Sequence, residues 1–251
     1  NLSVSGFTVL PWNYDAAVAP PRLERIANSA DGQRPVAPGG LISVFGQNLS
    51  PINATTRTIP LPTALGESCL TVNGMPVPLI FVSEGQVNAQ LPFNVVGNVT
   101  MILRTPGGVS DNFNFSILPT APGIFRQAID GLGDNVPTIL NGRNGLLATG
   151  SNPLKRDDTI TIYLTGLGRT NPPIDEGLPG PAEPLSVALV EPKVILGGHE
   201  LPVIFAGLTP GQVGVYQINA RVSRTVPVGM QIPLNIEQGG YSTAVTVRVI
   251  E

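Results

Sequence analysis

Apolar residues in this chain recur mostly at every second position, in short runs divided by Gly, Pro and Asn. In Ile160-Thr161-Ile162-Tyr163-Leu164 and in Val245-Thr246-Val247-Arg248-Val249 they fall on one face of an extended strand. Similar β-prone runs begin at Leu41, Cys69, Leu79, Val99, Asn112, Lys193, Val203 and Gln231. Helical periodicity is nearly absent; Leu23 to Asn28 suggests a turn of helix and no more. Strands with one buried and one wet face are those of antiparallel sheets packed as a sandwich, so the pattern predicts an all-β fold. Asn73-Gly74 and Gly197-Gly198 suit tight hairpin turns, because both residue types accept positive φ. Pro76, Pro78, Pro202 and Pro210 belong at strand starts or sheet edges, since proline donates nothing to a ladder.

The pattern also repeats. Leu41-Ile42-Ser43-Val44-Phe45-Gly46 is echoed by Thr161-Ile162-Tyr163-Leu164-Thr165-Gly166. Val77-Pro78-Leu79-Ile80-Phe81 with Gly85-Gln86-Val87-Asn88-Ala89 is echoed by Leu201-Pro202-Val203-Ile204-Phe205 with Gly211-Gln212-Val213 and Ile218-Asn219-Ala220. Gly107 to Ser110 and Gly239 to Ser242 form matching closing turns. The spacing, about 120–130 residues, is the size of a domain and not of a solenoid repeat. The expected division is an N-terminal extension over 1–21, a first sandwich over 22–119, a junction with a hairpin over 120–156, and a second sandwich over 157–251. In the junction, Pro137 to Leu140 and Gly145 to Ala148 are the hairpin's arms.

Composition narrows the partners. With 251 residues there is enough chain for two cores, and 29 Gly and 26 Pro fall between the apolar runs as turn punctuation. A net charge of −3 offers no basic face for nucleic acid. No apolar run reaches the ~18–20 residues of a membrane-spanning helix. A single cysteine, Cys69, rules out an intrachain disulfide and a cysteine-based zinc site. Its run, Ser68-Cys69-Leu70-Thr71-Val72, reads as a strand with the thiol buried as a small hydrophobe. Few lysines and many Thr, Ser and Asn suit an extracellular β protein. The chain starts at Asn1, which fits either a processed secreted protein or a fragment of a longer one.

Candidate chemistry is sparse. The only histidine, His199, sits in a Gly197-Gly198-His199-Glu200 turn, and no nucleophile motif surrounds Ser68 or Ser83. Asp130-Gly131-Leu132-Gly133-Asp134 lacks the terminal Glu of an EF-hand loop, and together with Asp157-Asp158 it is read as turn chemistry and not as a metal site. No cofactor is expected. Aromatic residues such as Trp12, Tyr14, Tyr216 and Tyr241 are candidates for a sugar platform, with scattered core or surface positions as the plainer reading. Asn1, Asn48, Asn53, Asn98 and Asn114 open glycosylation sequons.

Several ordered motifs carry a family likeness. Val36-Ala37-Pro38-Gly39-Gly40 leads through Leu41 to Phe45 into Gly46-Gln47-Asn48-Leu49, and Val72-Asn73-Gly74 and Pro122-Gly123-Ile124-Phe125 follow. Tyr163 to Gly168 and Phe205-Ala206-Gly207-Leu208 complete the set. Together these resemble the uncharacterised C-terminal domain family of Solibacter and other Acidobacteria, over about residues 23–250. Each half also resembles the immunoglobulin-like plexin–transcription factor domain. The resemblance implies tandem immunoglobulin-like sandwiches near the C-terminal end of secreted or surface proteins, and it supplies no catalytic residue.

Residues 1–21 lie outside that likeness. Leu2 to Leu10 is uncharged and β-prone, and such a strand needs a sheet edge to satisfy its backbone. It pairs within its own chain, belongs to an upstream domain, or adds to a neighbouring subunit through Leu2, Val4, Phe7, Val9 and Leu10. The favoured expectation is a non-enzymatic, secreted or surface structural protein, a homo-polymer built by strand addition. The alternative is a carbohydrate-binding, adhesion or spacer module of a larger surface protein.

Overall fold

The computed structural model describes residues 14–33, 35–129 and 133–251. These residues form two immunoglobulin-like β-sandwiches, and no helix is present among them. In the first sandwich one sheet has the order Arg22–Asn28, Leu41–Gln47, Gln86–Gln90, Leu79–Val82, Ala54–Thr55. The facing sheet runs Phe113–Ile117, Gly97–Thr105, Cys69–Val72, Met75–Pro76. The second sandwich repeats this plan. Thr159–Thr165, Tyr216–Arg221, Val203–Leu208 and Val187–Ala188 lie in the corresponding order, opposite Tyr241–Ile250, Gly229–Gln238, Lys193–Leu196 and His199–Leu201.

Alternation drives this packing. Ile160, Ile162 and Leu164 are fully buried, as are Val194, Leu196, Leu234 and Ile236 across from them. Each such side chain removed from water contributes about 1.5–3 kcal/mol. Asn73 and Gly74 (φ 49° and 79°) and Gly197 and Gly198 (φ 58° and 84°) form the hairpin turns anticipated from sequence. The repeat extends to an irregularity: the register slips between Leu79 and Phe81 and, at the equivalent place, between Val203 and Phe205.

Four sequence readings change. Arg22–Asn28 is a strand paired with Leu41–Gln47 and not a helical turn, because sheet pairing outweighs a weak local preference. Cys69 is half-buried; its neighbours Leu70 and Val72 take the core face, so the period of two turns the thiol the other way. Burial pushes the Cys69 thiol pKa up, against the opposing pull of the Arg104 charge. The repeat is also offset from the motif match. Val44 and Ile162 are equivalent, since they pair with Val87 and Ile218 respectively. Gly166 (φ 86°) therefore answers Asn48 (φ 54°), not Gly46. Finally, the 120–156 stretch contributes strands to the second sandwich: Gly123–Ile124 and Ile139–Asn141 both pair with Thr159–Thr165. Within that stretch Leu140 and Leu147 meet in an isolated antiparallel bridge.

Among the described residues Tyr216 is the largest fully buried side chain, and its hydroxyl donates to the Gly168 carbonyl at 2.6 Å. Burial pushes its pKa far up, so it stays a neutral donor. Tyr216→Phe is expected to cost about 1–3 kcal/mol, because it orphans a buried carbonyl. A shift of the urea midpoint at unchanged m-value is the readout.

Candidate functional site

No group of three metal-ligating side chains lies together among the described residues. His199 is exposed at the start of its strand, Ser68 is buried with its hydroxyl given to the Leu49 carbonyl at 2.8 Å, and Ser83 is tied to Gln86. Asp157 pairs with Arg221 and Arg224, and Asp158 with Arg143. The side chains of Asp130 and Asp134 lie outside the described residues, as do Trp12 and the predicted contact residues Leu2, Val4, Phe7, Val9 and Leu10. Of the other named aromatics, Tyr14 is exposed, Tyr241 half-buried and Tyr216 inside the core. No helix among the described residues is long and apolar enough to cross a membrane.

The most elaborate feature is the seam between the sandwiches. The start of Leu41–Gln47 meets the end of Thr159–Thr165, where the Leu41 amide donates to Thr165 Oγ1 at 2.9 Å. That hydroxyl in turn donates to the Gly214 carbonyl at 2.7 Å. Beside it, Gly40 and Gly166 bring their backbones together; a Cβ on Gly40 would stand 3.4 Å from Gly166 Cα.

A second strand end reaches across through Gln90, which is fully buried. Its Oε1 accepts from the Gly177 amide at 2.7 Å, and its Nε2 donates to the Gly39 carbonyl at 3.2 Å. One amide side chain thus satisfies a backbone group on each sandwich. Nearby, the Phe93 amide donates to Glu176 Oε1 at 3.0 Å, and the Leu61 amide to the Gly177 carbonyl at 3.0 Å. The Phe93 ring leaves its own sandwich and joins the core of the second, together with Leu164, Leu167 and Tyr216. Asn28 completes the seam by donating to the Ala121 carbonyl at 3.1 Å.

These residues were missed in the sequence, and the signal that could have found them is a break in the repeat. Gln90 pairs with Leu41, and Arg221 with Thr159. The same structural position thus holds a buried amide in one sandwich and an exposed, ion-paired arginine in the other.

At the rim lie Asp31, Arg126 and Tyr241. Burial pushes the Asp31 carboxyl up, offset in part by the Gln33 amide and the Arg126 charge. Tyr241 is also raised, by burial and then by Asp31. A carboxylate with a raised folded-state pKa holds its proton more tightly when folded. Its contribution is therefore present below the unfolded value and lost as pH rises through the folded one. Asp31→Asn is expected to remove that loss, narrowing the difference between urea midpoints at pH 4 and pH 7.

No family model matches the chain, and no curated protein matches it. Among solved structures, a surface glycan-binding protein from Prevotella bryantii matches at 10% identity and a TM-score of 0.28, over 90% of this chain and 41% of that one. A gamma-CGTase from alkalophilic Bacillus clarkii matches at 10% and 0.30, over 93% and 26%. The extracellular region of plexin A4 matches at 9% and 0.29, over 92% and 18%. This chain spans less than half the length of each.

Proposed function

We propose that this chain is a rigid, non-catalytic spacer and presentation module of an extracellular or cell-surface protein, with 22–119 as its first sandwich and 157–251, completed by strands of the 120–156 stretch, as its second. The observation that carries this reading is the seam. Buried hydrogen bonds through Gln90, Thr165 and Asn28, together with a Phe93 ring lodged in the neighbouring core, resist bending in a way that an exposed polar linker does not. A module that holds its ends at a set separation needs this coupling and needs no reactive group.

Calorimetry of the intact chain tests the proposal. One cooperative transition, with the calorimetric and van't Hoff enthalpies equal, is expected for coupled sandwiches. Two separable transitions would overturn the rigid-spacer reading. A glycan array run on the same protein addresses the carbohydrate-binding alternative, and specific binding there would replace the spacer with an adhesion module.

A further inference from the structure

The two sandwiches differ at one matching sheet edge. In the first, the outer side of Leu79–Val82 is covered: Ala54 and Thr55 pair with Val82 and Phe81, the Thr56 amide donates to the Ile80 carbonyl at 3.0 Å, and the Leu79 amide donates to the Pro62 carbonyl at 2.8 Å. In the second, the equivalent strand Val203–Leu208 is covered only at its far end, where Val187 pairs with Gly207 and the Leu208 amide donates to the Ser186 carbonyl at 2.9 Å. Past that point the covering segment turns away, and the Leu189 amide bonds instead to the Arg169 carbonyl. Among the described residues, no strand pairs with the outer side of Val203 to Ala206. The exposed side chains around this open stretch are mostly apolar: Ile204 is 63% exposed and Leu189 58%, with Val187 and Val190 beside them, and Glu191 is the one charged residue lining the groove. A groove of about 400 Å³ runs between them. An uncovered edge with apolar flanks is a template for one more strand.

We propose that the outer edge of Val203–Ala206 accepts the segment Leu2–Leu10 of a second copy of this chain as an added β-strand. The occupant is chosen by three observations. The first sandwich shows that this edge, in this fold, is completed by an extended segment. Leu2–Leu10 carries no charge and has apolar residues at alternating positions on either side of Gly6, which suits a ladder flanked by Ile204 and Leu189.

The third observation is placement. The extension is tied to the pole of the first sandwich that faces away from the second: the Asp15 amide donates to the Pro106 carbonyl at 2.7 Å, and Asn48 Nδ2 donates to the Pro20 carbonyl at 3.3 Å. Val203 pairs with Ala220, which pairs with Ile160, at the pole of the second sandwich facing away from the first. With the sandwiches end to end, about thirteen strand positions separate these levels, on the order of 40 Å. The residues ahead of Asp15 would cover that span only by giving up the pairing itself. Donor and acceptor at opposite ends of one rod make a head-to-tail contact, which does not close and grows as a chain of copies. This inference rests on the open edge and on the end-to-end placement of the two sandwiches that the seam holds.

The test is sedimentation velocity over a hundredfold concentration range, with negative-stain microscopy. It compares the intact chain, a chain lacking residues 1–10, and the double variant Ile204→Asp, Leu189→Lys. Both substituted side chains are solvent-exposed, so the fold is retained, and circular dichroism verifies this. The intact chain is expected to form linear oligomers that lengthen with concentration. The other two are expected to remain monomeric alone and to form dimers, no longer species, when mixed, because one supplies only an acceptor and the other only a donor. A monomeric intact chain at every concentration, or assembly that survives either change, overturns the proposal.

Discussion

Replacing Phe93 with alanine is expected to destabilise the second sandwich by about 3–5 kcal/mol, although the residue lies in the first. The ring is 8% exposed and belongs to the second sandwich's buried core, which includes Leu164, Leu167 and Tyr216. Its removal leaves a cavity that those strands can fill only by shifting. Gly39, with φ 68°, leaves the space that the ring occupies; a Cβ there would run into it. Hydrogen exchange locates the effect. Faster exchange is expected along Thr159–Thr165 and Tyr216–Arg221, with a lower melting temperature for the whole chain. Phe115→Ala is the control, since that ring is half-buried against Phe113 on the first sandwich. If Phe93→Ala quickens exchange only in the first sandwich, the ring is not a shared core residue.

Gln90→Leu is the second large effect, expected at about 2–6 kcal/mol. Leucine fills much of the same volume but leaves the buried Gly177 amide and Gly39 carbonyl without the partners that Gln90 supplies, and each orphaned group costs about 1–3 kcal/mol. The consequence extends beyond stability. Because one amide holds both sandwiches, its loss should split the single calorimetric transition into two. Gln90→Glu is the discriminating companion. It keeps the acceptor for Gly177 but places a charge against the Gly39 carbonyl, so it should be tolerated least at high pH. An unsplit transition in Gln90→Leu would mean that the remaining bonds, through Thr165 and Asn28, suffice for coupling.

The all-β class, the hairpins at Asn73-Gly74 and Gly197-Gly198 and the twofold repetition were legible in the order of residues. They rest on local rules: a period of two, a tolerance for positive φ, and the recurrence of the same runs. The helical turn expected at Leu23 to Asn28 failed because a strand next to Leu41–Gln47 gains a ladder that no local preference records. The offset between Gly46 and Gly166 failed for a related reason. Motif matching compares letters, whereas register is set by which residues face each other across the sheet.

The seam was not legible at all. Gln90 and Phe93 look like an ordinary strand end followed by a loop, and nothing within a few residues of them announces a partner almost ninety positions away. The sequence by itself determined that this chain makes two sandwiches of one kind and carries no recognisable reactive motif. Only the tertiary structure decided that the two share a core residue and a buried amide, and that one sandwich leaves open the edge that the other closes. Alternation and turn chemistry act between neighbours in the chain. Burial, register and edge pairing act between residues that meet only after folding.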